Sequence, residues 1–339
     1  MRSIAGLPRE EREALFLNTA DKIKMPPAIV EKDFWVCYML DYLFHRFCWR
    51  GHLVFKGGTS LSKAYHIIQR FSEDIDLILD WRLLGYGIDE PWEERSNTQQ
   101  DKFSEDALLK TMRFLSGDFM PALQTGITGE VPYDFDVFLE SDEEPTVDFA
   151  YPQLFTDSSI LQVIRLEIGA MASWSPSKDA KITSFVAEQY PQIFEAPSMM
   201  IRTAIAERTF WEKATILHRE ANRHSGSLPA RYSRHYYDLY CMAGHQVRDN
   251  ALRNIPLLQD VVRFKKKFYR CPWAKYEEAM PGTMKLIPQK QYFTALEEDY
   301  AKMRQMIYGS VPDFHVIIAE LTKLERDING IGAGEGSSL

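Results

Sequence analysis

Two aspartates, Asp74 and Asp76, stand two residues apart in Arg70-Phe-Ser-Glu-Asp-Ile-Asp-Leu-Ile78. A pair of glycines precedes them in Phe55-Lys-Gly-Gly-Thr-Ser-Leu-Ser-Lys63. On a strand, side chains two apart share a face, so both carboxylates project to one side while Ile75, Leu77 and Leu79 enter a core. Gly57 and Gly58 carry no Cβ and let the backbone approach a ligand closely. Backbone N–H groups at a helix start favour phosphate oxygens. Two carboxylates beside a phosphate cradle are what a Mg²⁺ site for nucleotide chemistry requires. Taken singly, a diglycine is usually only a turn and an Asp-x-Asp only a solvated edge. Their order, with a strand–helix–strand pattern between, gives them joint meaning.

The elements that must position them are short. His52 to Phe55 supply an apolar strand, the glycines break it, and Thr59 or Ser60 can cap a helix running to about Gln69. This arrangement resembles the nucleotidyltransferase signature of the DNA polymerase β superfamily. The interval from Thr59 to Glu73 is longer than that superfamily usually shows. It is similar to one branch, the AbiEii/AbiGii-type nucleotidyltransferase toxins, with their Gly-Gly-Thr-x-Leu-x-Lys and Arg-x-Ser-x-Asp-x-Asp elements. Further matches are Glu31-Lys32-Asp33, Arg208, Glu212-Lys213-Ala-Thr-Ile-Leu-His218, Arg234-His-Tyr-Tyr-Asp238-Leu and Lys285-Leu-Ile-Pro288, covering most of the chain.

The resemblance implies an α+β fold: a polymerase β-like mixed sheet flanked by helices, followed by a helical C-terminal region. It implies NTP as substrate, with phosphates held at Gly57, Gly58, Thr59, Ser60 and Lys63, and Mg²⁺ or Mn²⁺ held by Asp74 and Asp76. Lys213 takes the family's nucleotide-contacting role and Asp238 its essential acidic one. A lysine point charge on a triphosphate is physically sensible. The acceptor would be a tRNA 3′ end or a protein hydroxyl, and a cognate antitoxin would be encoded next to the gene. Two other readings remain open. One is a phosphotransferase acting on protein or a small molecule through the γ-phosphate, and the other a non-catalytic nucleotide- or partner-binding module.

The bulk composition sets limits. The 339 residues can hold two domains, and 45% hydrophobic with 26% charged residues describes an ordinary globular chain. A net charge of −8 argues against a surface that binds nucleic acid everywhere and leaves room for a local basic groove. Cys37, Cys48, Cys241 and Cys271 lack metal-ligand spacing and are expected as reduced, mostly buried thiols in a cytoplasm. No apolar run reaches membrane-spanning length, and Met1 to Glu10 lacks the apolar core expected of a signal peptide.

Residues 1–195 are expected as the catalytic domain with N-terminal helices, 196–328 as a helical domain, and 329–339 as a disordered tail. A helix from Ala28 to about Phe47 carries an apolar face, and Glu31-Lys32-Asp33 are expected as first-turn charges on its solvated end, the family resemblance implying as the other reading a role in shaping the site. Gly85 to Gln100 is expected as a loop and Asp101 to Leu115 as a helix. Strands are expected near 133–139, 146–151, 161–168 and 181–186. In Leu161-Gln-Val-Ile-Arg-Leu-Glu167-Ile-Gly, Glu167 is the conspicuous charge. A buried carboxylate needs a partner, so Glu167 is the candidate third carboxylate, with Asp148 and Glu140 as rivals. Its other reading is a strand-end residue paired with Arg165 or left in solvent. Ser198 to about Glu220 reads as one long helix. Arg263-Phe-Lys-Lys-Lys-Phe-Tyr-Arg270 is either a helix packing Phe264 and Phe268 or a phosphate-tracking face. Arg219, Arg223, Arg231 and Arg234 form a second basic cluster.

Overall fold

In the computed structural model, residues 1–141, 144–158, 160–171 and 176–331 are described. The chain divides into two compact units. The first comprises Met1–Tyr65 and Ser72–Ala204, the second His66–Phe71 and Ile205–Leu339. The last eight residues of the expected tail lie outside the described residues.

The first unit holds a seven-stranded mixed sheet. Its strands are β1 (Leu53–Lys56), β2 (Asp74–Leu79), β3 (Asp136–Leu139), β4 (Thr146–Ala150), β5 (Ile164–Gly169), β6 (Ser177–Ile182) and β7 (Met199–Ala204), in the order β3-β4-β5-β2-β1-β7-β6. β2 runs antiparallel to β1 and parallel to β5. Ile75, Leu77, Phe55, Ile164 and Leu166 are fully buried on one side, as period-two alternation requires. The helices of this unit are α1 (Arg2–Ala5), α2 (Arg9–Ile23), α3 (Pro27–His45), α4 (Gly57–Lys63), α5 (Asn97–Phe114), α6 (Met120–Thr128) and α7 (Phe185–Gln189). A π-turn, Leu115–Phe119, joins α5 to α6.

The second unit is helical: α8 (Ala206–Ala221), α9 (Ser233–Ala243), α10 (Gln246–Leu252), α11 (Ile255–Phe268), α12 (Phe293–Met303) and α13 (Phe314–Asn329). The segment 66–71 joins it through Phe71 N–H to the carbonyl of Met306 and Tyr308 N–H to that of Gln69.

The architecture is the expected α+β class, with four corrections. The helix after the glycines ends at Lys63, not near Gln69, because the chain then leaves for the second unit. That detour accounts for the long interval between Thr59 and Glu73. The expected helix from Ser198 is a strand followed by a helix. In Met199–Ala204, buried Met199, Ile201 and Thr203 alternate with exposed Met200 and Arg202, a pattern of period two that β1 completes by pairing Phe55 with Thr203. Residues 185–189, partly read as strand, form α7, capped by Ser184. Of the four free cysteines only Cys37 is buried, and Cys48 is exposed. In α11, Phe264 is buried and Phe268 partly so, as in the packing-helix reading.

Candidate active site

β1 delivers the chain to Gly57, whose φ of +77° places it in the left-handed region that side chains rarely adopt. A Cβ built there would lie 1.8 Å from Asp76 Oδ2. Gly57 is therefore required twice, by its backbone angle and by the carboxylate against it. Lys56 is the register partner of Asp76 across the β1–β2 ladder, which brings the corner level with that aspartate. The Thr59 hydroxyl donates to the carbonyl of Asp74, and the Ser60 hydroxyl donates to the carbonyl of Gly57 at 2.8 Å. Both side chains are buried, so their hydroxyls hold the corner together. Lys63 is also buried and gives its ammonium to Asp33 Oδ1 at 2.6 Å. Burial works against that charge, but Asp33 outweighs it and holds the lysine above its ordinary range.

Asp74 and Asp76 are half-buried and point to the side opposite buried Ile75 and Leu77. One strand over, Arg165 is level with Asp74 and Glu167 with Asp76. Glu167 is exposed, so the buried one of its two readings does not hold, because β5 turns Leu166 and Ile168 inward. Arg165 pairs with the two rivals, Glu140 at 2.5 Å and Asp148 at 3.4 Å. Burial pushes Asp148 above the usual carboxylate range despite Arg165. Among the described residues no three His, Cys, Asp or Glu side chains gather as a metal cage. A two-carboxylate site still suits Mg²⁺, which takes one or two carboxylates and completes its shell with water and substrate phosphates.

The largest departure from expectation is Glu31-Lys32-Asp33. All three are buried, at 0%, 0% and 2% exposure. Successive helical residues point about 100° apart, so each meets a different part of the unit. Glu31 accepts from the backbone N–H of Leu154 at 2.8 Å and of Phe155 at 3.0 Å. Lys32 donates to Glu73 at 2.8 Å and to the carbonyl of Leu161. Glu73 immediately precedes Asp74, so this pair anchors the start of β2. Asp33 accepts from Lys63 at the end of α4 and from the N–H of Phe185 at 2.7 Å. Sequence offered a signal here, since charged residues followed by Phe34-Trp35 at the same helical level leave no solvated face.

The second unit gathers Lys213, Asp238, His235 and Arg70. Arg70 grips the fully buried Asp238 with both prongs, Nε to Oδ1 at 2.7 Å and Nη2 to Oδ2 at 2.8 Å. Lys213 Nζ lies 2.8 Å from Asp238 Oδ2 and 3.3 Å from His235 Nδ1. Burial opposes the charge of Asp238, but Arg70 and then Lys213 hold it well below the usual carboxylate range. Lys213 is lowered, by burial first. Lost hydration and the Lys213 charge hold His235 well below its ordinary range, which leaves Nδ1 of a neutral ring as acceptor to an ammonium that can only donate. Arg70 stands in the sequence motif, yet its partner, 168 residues away, was not legible from it. Of the second basic cluster, Arg219 and Arg223 both pair with buried Glu220, and Arg223 lies over the Trp273 ring.

A mixed sheet that sets a left-handed glycine corner against an Asp-x-Asp pair is the architecture of a polymerase β-like nucleotidyltransferase. The family described as nucleotidyl transferase AbiEii toxin, type IV TA system, matches residues 41–324, and the chain belongs to it. It is thus a nucleotidyltransferase toxin of a type IV toxin–antitoxin system, a family that implies an NTP substrate and a cognate antitoxin. No curated protein sequence matches it. Among solved structures it is similar to the nucleotidyltransferase toxin MenT4 of Mycobacterium tuberculosis H37Rv, at 16% identity and TM-score 0.42, covering 94% of this chain and 98% of that one. It is also similar to JHP933 of Helicobacter pylori, at 17% identity and TM-score 0.31, covering 96% and 99%. Among the described residues no helix is long and apolar enough to cross a membrane.

Proposed function

We propose that the first unit transfers a nucleoside monophosphate from an NTP to an acceptor hydroxyl, with the tRNA 3′ end as acceptor. The observation that carries this reading is the contact between Gly57 and the Asp76 carboxylate, where a side chain could not fit. It makes the backbone corner and the acidic pair one site. Asp74 and Asp76 would hold Mg²⁺, which supplies neutralisation of triphosphate charge and of the entering and leaving oxygens. The backbone at Gly57 and Gly58 accommodates the phosphates. Thr59, Ser60 and Lys63 keep that corner rigid through the bonds described above.

The acceptor oxygen forms a bond to the α-phosphorus as the bond to pyrophosphate breaks, and its proton passes to a carboxylate. Glu167, exposed and level with Asp76, is the proposed proton acceptor. Asp238 is a positioning residue, because a carboxylate held low by two cations is a poor base. Its work is to orient Lys213, the proposed contact to nucleotide phosphate.

Incubation with each α-radiolabelled NTP, Mg²⁺ and total RNA tests the reading. Label on tRNA, lost in Asp76→Asn, is the expected result. Label on protein would redirect the acceptor assignment. Transfer from γ-labelled but not α-labelled NTP would make the enzyme a phosphotransferase, and NTP binding without any transfer would make it a binding module.

A further inference from the structure

At the end of β1 and β2 away from the glycine corner lies a cavity of about 330 Å³, walled by Arg50, His52, Arg82 and Arg202 with Asp80 and Asp179. That volume is within the range of small-ligand sites. All its lining residues belong to the first unit. Three guanidinium groups against two carboxylates leave an excess of positive charge, on a chain whose net charge is −8.

The acidic neighbours do not use up the cations. Arg202 reaches Asp179 through Nε alone, at 3.1 Å, with its side chain 56% exposed. Arg50 is exposed and makes no ion pair among the described residues. An arginine fork with free N–H groups matches phosphate geometry. Phe44 is the sole aromatic ring besides the imidazoles in the lining, so the cavity is equipped to hold a phosphate and poorly equipped to read a base.

Strand register places this cavity on the catalytic side of the sheet. Thr203 is level with buried Phe55, so Arg202, one residue away, takes the other face, the one that carries Lys56 and Asp76. Asp179 is the register partner of Arg202 on β6. Along β2, Asp80 follows Asp76 by four residues, roughly 13 Å at strand rise. A few nucleotides of an extended strand cover that distance.

We propose that this cavity binds a backbone phosphate of single-stranded RNA, upstream of the 3′ hydroxyl that the acidic pair acts on. The inference rests on the transfer reading above, which already names an RNA acceptor, and adds to it the place where the RNA backbone is held. Contacts of this kind fix position without reading sequence.

The test is binding of a fluorescein-labelled single-stranded oligoribonucleotide, followed by anisotropy at several salt concentrations without NTP, for the wild type and for Arg50→Ala/Arg202→Ala. Both side chains are exposed, so the variant is expected to fold, and its thermal transition verifies this. The expected result is an affinity about tenfold weaker and a log–log salt slope smaller by about 0.7 for each phosphate that the variant no longer neutralises. KM for NTP is expected to stay unchanged. Unaltered RNA affinity and slope would overturn the proposal, and so would a variant that raises KM for NTP while RNA binding is retained, since the cavity would then serve the free nucleotide. Because binding is read without turnover, wild-type protein that binds RNA through this cavity but transfers no label would refute the transfer reading alone.

Discussion

At the scale of single residues, the protein spends side chains on holding other side chains in place. Gly57 carries the sharpest constraint, because its φ of +77° and the adjacent Asp76 oxygen both exclude a Cβ. Gly57→Ala is expected to cost about 1–2 kcal/mol for the left-handed backbone and to displace the Asp76 carboxylate. Transfer activity should then fall by at least about a hundredfold, as misplacement of reacting groups by an ångström can cause. Thermal unfolding and label transfer measured on the same sample separate the two effects. Arg70 is the second case. Arg70→Ala leaves the buried Asp238 without its bidentate partner and with Lys213 as its remaining cation, and removal of one member of a buried pair costs about 3–5 kcal/mol. A correspondingly lower denaturation midpoint is expected, whereas a midpoint equal to wild type would show that Lys213 by itself is an adequate partner for Asp238.

At the scale of elements, α3 is the organiser of the first unit. It is buried on nearly every side, and its three consecutive charges tie down residues 154–155, the start of β2, the end of α4 and the start of α7. Burial raises the Glu31 carboxyl from 4.5 to about 7. The folded state therefore binds this proton more tightly than the unfolded chain does. The associated stability is fully present below about pH 4.5 and is lost as pH rises through about 7. Relative to Glu31→Gln, the wild type should accordingly lose stability between those values and hold a constant difference above them. Chemical denaturation of both proteins across that range measures it, and parallel curves would count against the raised carboxyl.

At the scale of the whole molecule, the metal proposed for Asp74 and Asp76 would serve catalysis and not folding, because two half-buried carboxylates are a weak site without the triphosphate. EDTA is therefore expected to abolish transfer while leaving the thermal transition of the NTP-free protein within about a degree, since a ligand absent from the folded state cannot stabilise it. A large drop in that transition would mean a structural ion. The division into units also explains a sequence irregularity. The chain leaves the first unit after Tyr65, contributes His66–Phe71 to the second, and returns at Ser72, so the motif that contains Asp74 and Asp76 also contains Arg70, which serves the other unit.

The sequence by itself determined the local chemistry. A glycine corner and two carboxylates at i and i+2 on a strand follow from backbone rules acting within about twenty residues, and the class of fold and of enzyme was legible from them. The boundary of α4, the strand at Met199–Ala204 and the α7 helix were not, because each is decided by what pairs or packs against it. The partners of the buried charges were decided by tertiary structure alone. Lys32 meets Glu73 41 residues on, Glu31 meets the chain 123 residues on, and Arg70 meets Asp238 168 residues on. A charged side chain on a helix is solvated unless something distant covers and pairs it, and that pairing is a property of the assembled fold.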